Sequence, residues 1–127
     1  MTNQELYEKA KQAQQYSYSP YSKFKVGACL LTESGKIFTG CNIENSAYGP
    51  SNCAERTAVF KAVSEGETKF LKIAIYGGDG EKFCFPCGTC RQVLSEFNKD
   101  IEIIIGNNKE IKSFKLSKLL PFSFDLK

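Results

Sequence analysis

The fold class predicted by the sequence is α/β: a three-layer α/β/α sandwich built on one central mixed five-stranded sheet. Three observations predict it. Apolar residues recur at helical spacing in separate stretches of the chain. Between them lie short runs rich in Ile, Val and Leu that end in turn residues. The two kinds of segment alternate as αββαβαβ(β), an order that demands a mixed sheet with helices on both faces.

Each element has its own signal. Thr2 followed by Glu5 has the form of a capping box, and Leu6, Ala10 and Ala13 continue at helical spacing, predicting a first helix over 3–15. The stretch from Tyr16 to Tyr21 is turn-rich, with Pro20 ending any helix. Two strands, 25–31 and 36–41, flank the turn Thr32-Glu33-Ser34-Gly35 as a hairpin. After the irregular residues 42–52, a helix over 53–64 carries Ala54, Ala58, Val59, Ala62 and Val63 on its apolar face and stops at Gly66. Residues 71–76 read as a short buried strand ended by Gly77-Gly78. A helix over 87–97, a strand over 101–105, a weaker fifth strand over 111–114 and a helical turn over 117–120 complete the order. No repeat or linker divides the chain, so 1–127 is read as a single catalytic domain.

Composition narrows the function classes. A chain of 127 residues can bury roughly two-thirds of its unfolded surface. Its 42% apolar and 24% charged content belongs to a globular protein, not a disordered one. The net charge of +3 is scattered, with no basic stripe for a nucleic acid. Apolar runs are too short for a membrane span, and Met-Thr-Asn-Gln-Glu is unlike a secretion signal. The expected location is therefore the cytoplasm, with neither nucleic acid nor membrane as partner.

In a reducing compartment, close cysteines serve as metal ligands or redox groups more often than as disulfides. The chain has six cysteines and no histidine, so a zinc site must rest on thiolates. Cys53-Ala54-Glu55 opens one expected helix, and Pro86-Cys87-Gly88-Thr89-Cys90 opens another. Residues i and i+3 share a helix face, and a helix N-terminus stabilises thiolates. If both helix starts converge, Cys53, Cys87 and Cys90 supply three ligands and leave the fourth position to water, the pattern of catalytic zinc. Cys84 could instead close a four-sulfur structural site, or Cys87 and Cys90 could form a redox pair that leaves Cys53 and Glu55 without a role. Cys29 and Cys41 read as small core residues. Glu55 has two competing roles. It could complete a capping box with Asn52, or reach a water on the metal, which its place two residues after a ligand favours.

These residues resemble the small cytidine deaminases with three cysteine zinc ligands. The likeness runs through Ser19-Pro20-Tyr21-Ser22-Lys23-Phe24-Lys25-Val26-Gly27-Ala28, Gly40-Cys41-Asn42-Ile43-Glu44-Asn45, Cys53-Ala54-Glu55-Arg56, Pro86-Cys87-Gly88-Thr89-Cys90-Arg91-Gln92 and Leu119-Leu120-Pro121-Phe122-Ser123-Phe124. In the related zinc deaminase signature a histidine takes the place that cysteine holds here. The resemblance implies one Zn²⁺ per subunit and hydrolysis of cytidine and deoxycytidine to uridine and deoxyuridine, a step of pyrimidine salvage. Zinc lowers the pKa of a bound water to about 7. Glu55 would carry a proton from that water to N3 of the pyrimidine and then assist the departing amine.

Other roles are also implied. Arg56 would donate hydrogen bonds to ligand sulfurs, offsetting their charge, with Arg91 a second candidate. Asn42 and Glu44 would hold the ribose 3′-hydroxyl, and as positions 42 and 44 of an extended segment they face one side. Phe24 would pack on the pyrimidine, and Ala54 would join the substrate contacts. Phe124 would enter a neighbouring subunit's site in a homotetramer. Cys29, Cys84 and Phe85 depart from the family pattern. A deaminase of another cytosine compound, such as blasticidin S, shares the cysteine motifs, although the Asn42–Asn45 segment favours a nucleoside. A structural zinc module that binds a partner would hold metal without turnover.

Overall fold

The computed structural model describes residues 1–127. Helix α1 (Asn3–Ala13) is followed by a 3₁₀ turn (Gln14–Tyr16), the strands β1 (Val26–Thr32) and β2 (Ile37–Cys41), and helix α2 (Ala54–Ser64). Then come β3 (Phe70–Gly77), α3 (Gly88–Phe97), β4 (Glu102–Gly106), β5 (Ile111–Lys115) and the short α4 (Leu116–Leu119). The expected elements are all present, with boundaries displaced by no more than two residues. The largest displacement ends α1 at Ala13, after which the chain tightens into the 3₁₀ turn.

The five strands lie in the order β2-β1-β3-β4-β5. Only β3 and β4 run parallel, joined through α3; the other neighbours are antiparallel. The sheet is therefore mixed, as the element order requires.

Strand alternation sorts the core into two. Ala28, Leu30, Ile73, Ile75, Ile103 and Ile105 face one side, where they meet Ala54, Ala58, Val59 and Ala62 of α2 and Leu94 of α3. Their neighbours Cys29, Ala74, Tyr76 and Ile104 face the other side and pack on Leu6, Tyr7 and Ala10 of α1. Each fully buried Ile or Leu contributes about 1.5–3 kcal/mol. Both faces are thus covered, giving three layers.

One glycine sets how closely α2 approaches. A Cβ on Gly40 would lie 2.5 Å from both the Ala54 carbonyl oxygen and the Ala58 nitrogen. Without it, the first turns of α2 rest directly on β2. Parallel β3 and β4 bring α3 to the same face, so the N-terminal ends of both helices open at one edge of the sandwich.

Candidate metal centre and catalytic carboxylate

Cys53 and Cys87 are the N-caps of α2 and α3, each with extended backbone, and neither side chain caps its own helix. Their sulfurs are thereby left for other partners. Cys90 follows in the first turn of α3, fully buried. The three Sγ atoms lie within 4.8 Å of one another, with Cys53 and Cys87 3.8 Å apart. Sulfurs bound tetrahedrally to zinc at about 2.3 Å stand about 3.8 Å apart, so the cluster fits one zinc ion. The donor chemistry agrees, since soft thiolates suit that metal.

Electrostatics divides the sulfurs. Hydrogen bonding with Cys90, then with Arg56 and Cys87, holds the Cys53 thiol down to about 5, while the same partnership pushes Cys90 up. Arg56 Nη2 donates to Cys53 Sγ at 3.2 Å. Burial alone would lower the Arg56 pKa, but its hydrogen bonds to Cys53 and Cys90 more than offset this and raise it. Its Nε is buried without a partner. Arg91 does not share this role: it donates to the Pro86 carbonyl at 2.8 Å and the Leu119 carbonyl at 2.7 Å, fastening the approach to α3 and the C-terminal segment.

Glu55 sits in the first turn of α2, only 4% exposed. Desolvation first, and the charge of Cys53 after it, push its carboxyl up to about 7. The capping-box alternative fails on the backbone. Asn52 is not the N-cap; it lies in an extended bridge with Ile43, and its amide donates to Thr57 Oγ1 at 3.2 Å. Glu55 is therefore a buried carboxylate of elevated pKa beside a sulfur cluster, suited to take up and release a proton near neutrality.

The four-sulfur alternative fares no better, because Cys84 is not in the cluster. Cys84 packs against the core, with its thiol pushed up to about 11 by burial and then by the charges of Glu55 and Cys53. Cys29 is fully buried under α1, and burial raises it to about 11 as well. Cys41, half-buried at the end of β2, is less enclosed than a core residue. All six cysteines are free thiols.

Asn42, Glu44 and Phe24 form one hydrogen-bonded wall. Asn42 Oδ1 accepts from the Val26 N–H at 2.9 Å and from the Ser17 hydroxyl, and its Nδ2 donates to the Phe24 carbonyl at 2.8 Å. Glu44 Oε1 accepts from the Tyr21 and Ser22 N–H groups, both at 3.0 Å, and Oε2 accepts from the Ser22 hydroxyl. These bonds hold the Glu44 carboxyl below its usual range. Paired backbone bonds between Ile43 and Asn52, at 2.8 and 2.9 Å, clamp this wall to the residue before Cys53. Sequence reasoning missed Ser17 and Ser22. Their only signal was a serine-rich turn, which says nothing about partners more than twenty residues away.

Ala54 and Phe124 differ sharply in exposure. Ala54 is fully buried in the core. Phe124 lies on the C-terminal segment, 68% exposed, with its carbonyl accepting from Gln92 Nε2 at 3.0 Å. No helix is long and apolar enough to cross a membrane.

The chain is similar to known proteins. Residues 1–107 match the family model described as the cytidine and deoxycytidylate deaminase zinc-binding region. A cytidine deaminase of Sporosarcina psychrophila is 49% identical over 126 residues, covering 98% of this chain and 92% of that one. The solved cytidine deaminase of Burkholderia pseudomallei superimposes with a TM-score of 0.91 at 44% identity, covering 98% of this chain and 100% of that one. A blasticidin-S deaminase of Bacillus cereus is more distant, 28% identical over 110 residues, covering 81% and 79% of the two chains.

Proposed function

The chain belongs to the cytidine and deoxycytidylate deaminase zinc-binding family, and from that premise we propose that it deaminates cytidine and deoxycytidine to uridine and deoxyuridine, releasing ammonia. The observation that carries this reading is the buried Glu55 carboxyl set two residues from Cys53 in a three-sulfur cluster of zinc dimensions. Cys53, Cys87 and Cys90 would hold the ion, whose chemistry is to make water a nucleophile near neutral pH.

The remaining work falls to the chain. Glu55 takes a proton from the attacking water and delivers it to N3 as the oxygen bonds to C4. Glu55 then passes the second water-derived proton to the amino group, and ammonia leaves as the C4–N bond breaks. A carboxyl near pKa 7 can accept and give at comparable cost, which its burial provides. Arg56 draws charge from Cys53, countering the excess negative charge of three thiolates. Ala54 floors the site between the first ligand and the carboxylate. Phe24 covers the pyrimidine face, and Asn42 and Glu44 receive the sugar hydroxyl at the rim of their shared wall.

The same reading extends to the whole molecule. Residues 1–127 act as one catalytic domain, supported by a single sheet with a core on each face. Four copies assemble so that Phe124 of one subunit completes the site of another, which its exposure and that of Phe122 support. Six free thiols suit the cytoplasm and a role in pyrimidine salvage there. The distant blasticidin-S relative leaves deamination of another cytosine compound as the competing reading.

Purified protein offered cytidine, deoxycytidine, cytosine, CMP, blasticidin S and single-stranded DNA should release ammonia from the two nucleosides. Glu55→Gln should retain zinc and lose at least about 10²-fold in kcat. Zinc binding with no nucleoside turnover, or an undiminished Glu55→Gln protein, overturns the proposal.

A further inference from the structure

At the end of β3 stand two adjacent glycines, Gly77 and Gly78. An added Cβ on Gly77 would fall 2.6 Å from Cys84 Sγ, 2.8 Å from Cys84 Cβ and 3.1 Å from Phe24 Cζ. On Gly78 it would fall 2.8 Å from Phe24 Cε1, and Phe24 supplies all three of its nearest atoms. The two glycines therefore present bare backbone, against which an aromatic ring and a thiol lie in contact.

This seat is fastened from several sides. The Gly78 N–H donates to the Lys25 carbonyl at 2.8 Å, pairing this turn with the residue that follows Phe24. Gln14 Nε2 donates to the carbonyls of both Lys25 and Gly78, at 2.8 and 2.6 Å, bracing the pair from the end of α1. Asn42 Nδ2 holds the Phe24 carbonyl. The backbone of Phe24 is thus fixed, yet its side chain remains 48% exposed. A ring half in solvent has few neighbours to decide its position, and here the missing side chains at 77 and 78 decide it.

We propose that Gly77 and Gly78 are positioning residues for substrate recognition, seating the Phe24 ring and the Cys84 thiol as one apolar wall of the deaminase site. The proposal rests on the assignment of Phe24 to the face of the pyrimidine. A methyl group at either position pushes the wall toward the space the base must enter. The sulfur cluster and Glu55 are held by α2 and α3, not by this turn, so the damage falls on KM and spares the chemical step.

A double-mutant cycle tests this. Gly78→Ala should raise KM for cytidine about fivefold, the scale of one displaced aromatic contact, with kcat within about twofold. Zinc content should be unchanged. In a Phe24→Ala background the same Gly78→Ala change should leave KM unaltered. The cycle also removes the backbone cost of alanine at φ +61°, which is present in both backgrounds. Gly77→Ala, free of that cost, should raise KM similarly, and Cys84→Gly should relieve it. If Phe24→Ala alone leaves KM unchanged, the assignment of Phe24 fails. If Phe24→Ala raises KM but Gly78→Ala does not, or if Gly78→Ala raises it equally in both backgrounds, the positioning proposal fails while that assignment stands.

Discussion

The two faces of the sheet use the same residue types for opposite ends. Under α1, Cys29 is surrounded by Leu6, Ala10, Ala74 and Ile104, and burial keeps its thiol protonated. On the other face Cys53, at the N-cap position of α2, meets Cys90 first, then Arg56 and Cys87, and is drawn toward the thiolate. Cysteine chemistry here follows from the element that carries the residue. A mid-strand position encloses the sulfur in hydrocarbon, whereas a helix N-cap leaves it free to meet the sulfurs of a second helix start and a guanidinium. The α1 face carries the smaller, wholly enclosed core, and the α2–α3 face carries the larger one and also gathers polar groups at one edge.

The sharpest way to break this contrast is to remove one sulfur from each face. Cys87→Ala should abolish stoichiometric zinc binding and reduce turnover to background, read by metal analysis and ammonia release. Cys29→Ala should keep zinc and kcat while costing about 1 kcal/mol of stability, read by denaturant unfolding. Equal zinc loss in both variants would erase the distinction. A smaller effect is expected at Arg56. Arg56→Ala should weaken zinc affinity or activity about 10–100-fold, with Arg56→Lys recovering part of it; competition with a zinc chelator measures this. Smallest of all, Thr2→Ala removes the capping box, in which the Glu5 N–H meets Thr2 Oγ1 and the Thr2 N–H meets Glu5 Oε1, both at 3.1 Å. It should cost about 1 kcal/mol, visible as a lowered Tm, with zinc content and KM untouched.

How much of this was legible in the sequence depended on the range of the interaction. The sheet and its layers were readable because an unbroken apolar run such as Ile73, Ala74, Ile75, Tyr76 is the local mark of a strand buried on both faces, which the structure bears out. The sulfur cluster was readable because a chain without histidine, with C-x-x-C at one helix start and Cys53 at another, leaves few donor sets for zinc. For Glu55 the sequence favoured the metal-bound water over a capping box, but capping depends on whether Asn52 or Cys53 takes the cap position, and the bridge from Asn52 to Ile43 decides that only in three dimensions. The wall around Asn42 and Glu44 was half legible. Its members were expected, but their bonds to Ser17, Tyr21 and Ser22 span more than twenty residues and have no local signature. Gly77-Gly78 reads along the chain as the stop of a strand, and only the folded chain brings Phe24 and Cys84 against it.

X-ray absorption at the zinc edge of the metal-loaded protein bears most directly on the central claim. The account predicts three sulfurs at about 2.3 Å and one lighter oxygen scatterer at about 2.0 Å, the signature of an open catalytic site. Four sulfurs around the ion would contradict it, because no coordination position would then remain for the water that Glu55 is placed to deprotonate.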